Sequence, residues 1–283
     1  MEFGFLPSTD LDTIDFSLPE GDDSILPGQA SPDFKFYFGA ARWGRKEWVG
    51  TLYPERLKES LFFDEYLKHF NYIELNAVFY QLPKADQVRI WAEKAKPYPD
   101  FKFTPKISRE ITHIRRLKNA QAATNNFIEV ISEFGAALGP CFFQLSDNFA
   151  SKHFDVLEEY LVSLPEDFKC NVEFRHPDWF EPEVFRRITD LLTDLNIGLI
   201  ITDSAGRRDV VHTSLTTDSV HIRFNGYSNH PTDRQRMEAW RDKILNWKAK
   251  GIKEVYFTLN QWENDAFYVS QLTAREVFKD LLV

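Results

Sequence analysis

The chain has 283 residues, 43% of them apolar and 15% aromatic, with 26 Phe and 7 Trp, a composition that excludes a disordered or low-complexity protein and fills a large aromatic-rich core. No apolar run approaches the roughly 20 residues that cross a bilayer, and no basic stretch followed by an apolar one opens the chain, so neither a membrane span nor a secretory signal is expected. The net charge of −9 is concentrated at one end: residues 1–33 hold eight acids (Glu2, Asp10, Asp12, Asp15, Glu20, Asp22, Asp23 and Asp33) and no Lys or Arg, which leaves residues 34–283 close to neutral and without a long basic stripe for nucleic acid.

In chain order, residues 1–33 mix acids, Ser, Gly and four prolines with no helical or strand period. They read as an acidic, disordered tail, with at most its few aromatics docked, ahead of one domain over residues 34–283. From Phe34 onward short apolar runs rich in aromatic and β-branched residues alternate with segments of 3.6-residue apolar period. The strand at Lys35–Ala40 leads to a helix at Asp64–His69, then the strand Tyr72–Asn76 and the helix Asp86–Lys94. The strand Lys102–Pro105 is followed by a helical period over Ala120–Leu138, and Cys141–Leu145 by Phe154–Leu164. Asn171–Phe174 precedes a helix at Pro182–Leu195, and Gly198–Thr202 precedes a stretch, Asp203–Ser219, too short and too β-branched for a full helix. Ser219–Phe224, a helix at Thr232–Lys250 and Glu254–Leu259 complete the series. Asp64, Asp86 and Pro182 supply cap or first-turn signals.

Eight strands recurring about every thirty residues, most followed by a helix, predict a parallel (β/α)8 barrel of the TIM-barrel kind, a single domain with an irregular crossover between strands six and seven. A doubly wound open sheet is the rival, and the absence of GxGxxG or GxxxxGK[ST] after any strand removes its usual nucleotide-binding forms. Cys141 and Cys170 lie in apolar strand-like runs and read as buried free thiols, which suits a reducing compartment, the cytoplasm.

The strands end in polar residues: Glu74 and Asn76; Lys106; Gln144; Glu173 with Arg175 and His176; Asp203; Arg223 with Asn225; and Asn260 with Gln261. In a parallel barrel these ends converge on the face where such folds place their chemistry. Lys106, Arg175 and Arg223 offer three cations, and Glu74, Glu173 and Asp203 three carboxylates. Partly buried charges of both signs pair with one another, and the same set also suits an anionic or polyhydroxylated ligand held by Arg forks.

Several segments in order carry a resemblance: Phe38-Gly39-Ala40-Ala41-Arg42-Trp43; Tyr53-Pro54; Ile73-Glu74-Leu75-Asn76 with Phe79-Tyr80-Gln81-Leu82-Pro83; Lys106 with Ile111-Thr112-His113; Gly139-Pro140-Cys141-Phe142-Phe143-Gln144-Leu145; and Val172-Glu173-Phe174-Arg175-His176-Pro177-Asp178-Trp179. Thr202-Asp203-Ser204, Ile222-Arg223-Phe224-Asn225-Gly226 and Leu259-Asn260 continue it. The chain thereby resembles the YecE-like family, domain of unknown function 72, over about residues 36–265. The resemblance implies a TIM-barrel-like fold with its pocket at the strand ends and no established activity. Two departures stand out: a Gly-Thr-Ser-Gly-Trp-like turn is replaced by Gly39-Ala40-Ala41-Arg42-Trp43, which brings in Arg42, and Asn225 stands where the seventh strand usually has a histidine.

Acid/base chemistry on a phosphorylated or carboxylated small molecule fits this mixture best. Glu173 is the expected base, Lys106 polarises a carbonyl or forms a Schiff base, and Glu74 and Asp203 complete the catalytic set. Asn76, Gln144, Arg175, His176, Arg223, Asn225 and Asn260 are expected to bind the ligand, with Trp43 and Tyr80 as stacking platforms and His113 as a loop neighbour. No cofactor is expected. The rival chemistries are a metal-dependent phosphoesterase built on Glu74, Glu173, His176 and Asp203 and a glycosidase built on Glu74 and Glu173. Common barrel glycosidases, however, place their acids where this chain has Gln144 and Arg223. His176 before Pro177 also reads as a loop cap. A non-enzymatic binding protein, or a nucleic-acid binder using Arg115, Arg116, Lys118, Arg207 and Arg208, remains the alternative to an enzyme.

Overall fold

The computed structural model describes residues 3, 4, 6, 8–261 and 266–282. Along them run β1 (Lys35–Ala40), α1 (Phe62–His69), β2 (Tyr72–Leu75), α2 (Ala77–Tyr80), α3 (Ala85–Ala95), β3 (Lys102–Pro105), α4 (Gln121–Ser132), β4 (Cys141–Gln144), α5 (Phe154–Val162), β5 (Cys170–Glu173), α6 (Pro182–Asp194), β6 (Gly198–Leu199), β7 (Ile201–Ser204), β8 (Ser219–Gly226), α7 (Pro231–Lys250), β9 (Glu254–Gln261) and α8 (Phe267–Val277). The strands form a six-stranded sheet in the order β3-β2-β1-β9-β8-β7 and a three-stranded sheet in the order β4-β5-β6. Every registered strand pair in both sheets is parallel.

Two places connect the sheets. Between β3 and β4, Phe103 bridges to Leu138 and Lys106 to Phe142, with the Gly139 N–H donating to the Phe103 carbonyl at 2.7 Å and the Ile107 N–H to that of Phe142 at 2.9 Å. Between β6 and β7 only Ile200 intervenes, and its N–H donates to the Val172 carbonyl at 2.9 Å. The strand expected at Gly198–Thr202 is thus one run that pairs with β5 over its first half and with β8 over its second.

The strands read as continuous apolar runs because both of their faces are covered. Ile73, Leu75, Phe103, Val172, Ile222, Phe224 and Phe257 join Leu67, Val88, Phe127, Leu157, Ile188, Trp240 and Ala274 of the helices in one apolar cluster. Alternate residues turn away from the helices. Tyr37, Tyr72 and Tyr256 form a separate cluster there, and the Tyr72 hydroxyl, His221 Nε2 and Thr258 Oγ1 lie within 3.0 Å of one another. Gly39 is required in β1 because a Cβ at that position would lie 2.0 Å from the Tyr72 carbonyl oxygen.

Helix boundaries follow local chemistry. Pro182 opens α6 at its first position, where no N–H is needed, and Gly251, at φ +104°, ends α7 in the left-handed conformation. The helix expected over Ala120–Leu138 stops at Ser132, and a separate 3-10 turn at Gly135–Ala137 follows, with Gly135 at φ +54°. After β7 the chain holds only a 3-10 turn at Arg208–Val210 before β8.

The composition of residues 1–33 predicts a disordered tail, and the described part of that segment is instead packed on the body. Leu11 and Phe16 are buried with Ala205, and Leu26 joins the main core. The Thr213 hydroxyl donates to the Pro19 carbonyl, the Leu215 N–H to that of Asp22, and Lys250 Nζ to Asp23 at 2.8 Å. Docked aromatics were the one part of this expected from the sequence, and Phe16 is such an anchor; the other anchors are aliphatic side chains and backbone carbonyls, which acid-rich composition does not announce.

Candidate functional site

Side chains from six strands or the residues just past them meet in one buried polar network. Arg223 of β8 lies between two carboxylates: Nε and Nη2 fork onto Glu74 of β2 at 2.8 and 2.9 Å, and Nη1 reaches Glu173 of β5 at 2.5 Å. Glu173 also accepts from Gln144 Nε2 of β4 at 2.7 Å, Arg175 Nε at 3.1 Å and the Thr202 hydroxyl of β7 at 3.0 Å. Gln144 Oε1 in turn accepts from Lys106 Nζ, just past β3, at 2.6 Å. Asn76 Nδ2 donates to Glu74 at 2.8 Å, and His221 Nε2 lies 3.3 Å from the same carboxylate. All of these side chains except half-buried Asn76 are buried.

The charges set one another's protonation. Burial alone would raise both carboxyls, yet Arg223, helped by His221 for Glu74 and by Arg175 for Glu173, holds Glu74 well below the usual range and Glu173 at about 2. Lys106 is driven the other way, to about 7, by burial first and then by the field of Arg223. Its ammonium sits 4.1 Å over the Phe79 ring, which also meets the rings of His113 and Tyr80, each at 5.0 Å. Burial and the Lys106 charge lower His113 to about 4.

Above the network opens a cavity of about 200 Å³ lined by Arg42, Arg45, Arg175 and Arg223, the amides Asn76, Asn225, Asn260 and Gln261, and Phe3. Among the described residues no carboxylate lines it. Phe3 arrives from the N-terminal segment and lies under the guanidinium groups of Arg175 at 4.4 Å and Arg207 at 4.5 Å.

Of the residues selected from the sequence, Glu74, Asn76, Lys106, Gln144, Glu173, Arg175, Arg223, Asn225 and Asn260 therefore belong to the network or the cavity. Four do not. Asp203 is buried on the helix side of β7, where its carboxylate accepts from Arg236 Nη2 at 2.8 Å, Trp240 Nε1 at 2.6 Å and Arg208. Thr202, one residue earlier, has the phase that faces Glu173. His176 Nδ1 accepts from the Asp178 N–H at 3.3 Å and caps the turn that follows. Trp43 packs on Phe63 and Trp91 at 4.6 and 5.4 Å, and Tyr80 is 74% exposed against Phe79.

Sequence reasoning missed Thr202, His221 and Tyr72, although their alternation with Asp203, Arg223 and Glu74 carried the signal. It also missed Arg45, which no strand end announces. The basic residues considered for nucleic acid are largely engaged within the chain: Arg115 with Glu110, Arg116 with Asn148, Arg207 with Asp209 and Arg208 with Asp203. Among the described residues no three His, Cys, Asp or Glu side chains come together as a metal site. Cys141 and Cys170 are register partners on β4 and β5, both free and buried, and among the described residues no helix is long and apolar enough to cross a membrane.

A family model described as "Protein of unknown function DUF72" matches residues 37–280. The UPF0759 protein YecE of Escherichia coli K12 is 29% identical over 230 residues, which cover 75% of this chain and 81% of that protein. Among solved structures, a DUF72 family protein of Thermotoga maritima superposes with a TM-score of 0.67 at 22% identity, covering 88% of this chain and 100% of its own. One from Enterococcus faecalis gives 0.64 at 17% identity, covering 88% and 96%. These likenesses concern the fold.

Proposed function

We propose for this chain, which belongs to the DUF72 family of proteins of unknown function, the binding of an anionic small molecule, phosphorylated or carboxylated, at the C-terminal strand ends of a single closed (β/α)8 barrel. Closure is supported by the β3–β4 bridges and by the run through Ile200, which join the two sheets on both sides. The observation that carries the ligand class is the four arginines lining one cavity that no carboxylate lines among the described residues. Glu74 and Glu173 pair with Arg223 and Arg175 from below, and Asp147 lies 3.6 Å from Arg175, whereas Arg42 makes no ion pair among the described residues and Arg45 meets Glu47 at 3.9 Å. On the cavity side these guanidinium groups meet no carboxylate among the described residues, and guanidinium forks match phosphate and carboxylate oxygens.

Acid/base turnover is a second reading, favoured by Lys106. Glu173, first considered as the base, already accepts four hydrogen bonds and is held ionised at about 2, which makes it a weak base. An amine brought to about 7 exchanges a proton near neutrality. Lys106 is therefore the group proposed to move a proton, with Gln144 and Glu173 positioning it. The free buried thiols support a cytoplasmic setting.

The test is mass spectrometry of small molecules released from the purified full-length protein, followed by calorimetric titration with those compounds at low and high salt. An anion that binds, and binds less well to Arg42→Ala/Arg45→Ala, supports the proposal. Binding only to neutral compounds, or only to nucleic acid, refutes it. Lys106→Met then separates the two readings: a binding protein keeps all its function, whereas an enzyme keeps affinity and loses turnover.

A further inference from the structure

Phe3 reaches the cavity from the N-terminal segment, and that segment is fitted to the strand ends at which it arrives. The Ser204 hydroxyl of β7 donates to the Phe3 carbonyl at 3.3 Å, the Gly206 N–H to that of Gly4 at 3.0 Å, and the Tyr227 hydroxyl, just past β8, to that of Leu6. Two glycines permit the approach. A Cβ on Gly4, at φ +82°, would lie 2.1 Å from Ser204 Oγ, and one on Gly206 would lie 2.7 Å from the Gly4 carbonyl oxygen. The Phe3 ring is 9% exposed and lies against the guanidinium groups of Arg175 and Arg207. Arg207 Nη2 also donates to the Arg175 carbonyl at 2.8 Å, so the ring and both arginines form one cluster. The segment precedes residue 37, where the family match begins, so this wall of the cavity comes from outside the matched domain.

We propose that Phe3 is a positioning residue of the ligand site: the docked N-terminal segment holds the Arg175 guanidinium in place for an anion and walls that side of the cavity, so docking and ligand binding favour each other. This rests on the reading of the cavity as an anion site and adds the part of the chain on which that site depends. Arg175 belongs to the cavity lining. Its Nε donates to Glu173 at 3.1 Å, and the Phe3 ring attracts its charge through the π face. A ring carries no carboxylate oxygen, so it orders the guanidinium without adding a competitor for an anion. Docking does not exclude a ligand, because about 200 Å³ of cavity stays open with Phe3 in place, room for several waters or a small anion. Loss of the ring would admit water beside Arg175, and the pull of a guanidinium on an anion weakens as water raises the local dielectric. Leu11, Phe16 and Leu26 hold the rest of the segment on the body, so the Phe3 contacts can be removed separately.

The experiment is calorimetric titration of the full chain and its variants with inorganic phosphate and with acetate, the tighter of the two serving as the probe. Phe3→Ala should weaken binding about threefold to tenfold. Phe3→Leu, apolar but without a π face, should lose nearly as much, and Phe3→Tyr should stay within about twofold of the wild type. Gly4→Val, which blocks the approach to Ser204 and leaves the Phe3 side chain unchanged, should match Phe3→Ala. The second readout is hydrogen exchange at the Gly206 amide, which reaches the Gly4 carbonyl only when the segment is docked. Coupling is reciprocal, so a saturating concentration of the probe should slow this exchange by about the factor that Phe3→Ala loses in affinity. Exchange that the probe leaves unchanged would give Phe3 a structural role alone and overturn the proposal. Tighter binding by Phe3→Ala, or faster Gly206 exchange with the probe, would make the segment a competitor and overturn it too. Unchanged affinity in both Phe3→Ala and Gly4→Val overturns it while leaving the anion reading intact. A wild-type chain that binds neither phosphate nor acetate takes down this inference together with that reading.

Discussion

Glu173 accepts from Gln144, Arg175, Thr202 and Arg223 at once, and together with Glu74 it balances the Arg223 and Arg175 guanidinium groups. Glu173→Gln keeps the shape but leaves Arg223 and Arg175 short of a counter-charge. We expect a loss of about 3–5 kcal/mol, read from the urea midpoint at constant slope; a loss within error would mean that Glu74 alone carries the balance. Lys106 supplies a pH signature of definite sign. Its folded value, about 7, lies below its ordinary 10.5, so between those values the unfolded chain binds the proton more tightly and stability rises with pH. Below about pH 7 both states are protonated and the folded state bears the full cost of a buried cation, about 1.4 kcal/mol for each unit of the shift. Lys106→Met should remove that rise, measured as the difference between the two stability–pH curves from neutral to alkaline pH. Parallel curves would show that Lys106 keeps its ordinary affinity for the proton. Most of this network was legible, because a strand-end charge is visible as a residue type. Its partners were not: they follow from phase, and the phase of Thr202 against Asp203 was available but unused.

Asp203 shows what that phase decides at the level of elements. One position out of step with the residues of the buried network, it ties β7 to α7 through Arg236 and Trp240 and to the loop through Arg208. Asp203→Asn should therefore lower stability by about 2–4 kcal/mol, with no more than a twofold change in anion affinity. A large loss of affinity with normal thermal unfolding would return Asp203 to the site. The N-terminal segment behaves as an element of the same kind, since Phe16 is buried with Leu11 and lies 5.3 Å beneath the Arg208 guanidinium. Phe16→Ala should cost about 3 kcal/mol in thermal unfolding, an effect that a solvated tail could not produce. The elements the sequence hid were hidden for identifiable reasons. In α8 the buried face includes Ser270, Gln271 and Ala274 beside Phe267 and Val277, so polar and small residues dilute the apolar period. α2 spans four residues, a single turn, too short for a period to register.

Across the whole molecule, the proposed barrel depends on its narrowest seam. β8 and β9 share eight register pairs, whereas β3 and β4 meet at two bridges, Phe103 with Leu138 and Lys106 with Phe142. The seam is nevertheless held on both faces. On the helix side Phe134 stacks on Phe103 at 4.2 Å, and on the other the Lys106–Gln144 hydrogen bond crosses from one strand end to the next. Alternation of elements in the sequence could announce eight strand positions but not this seam, where single contacts each join a strand residue to a residue outside the strands. If the sheets form one cooperative barrel, the amides of Gly139 and Ile107, which donate across the seam, exchange with solvent only by global unfolding and as slowly as those of β8. Fast exchange at these two amides, with β8 and β9 still protected, would mean two sheets that open independently. Lys106→Met sharpens the test, because it removes the clamp on the network side and leaves the Phe103–Phe134 stack in place. Exchange should then accelerate at Ile107, beside the lost clamp, more than at Gly139, which the stack covers. Equal acceleration at both would indicate general destabilisation instead of a seam held from two sides.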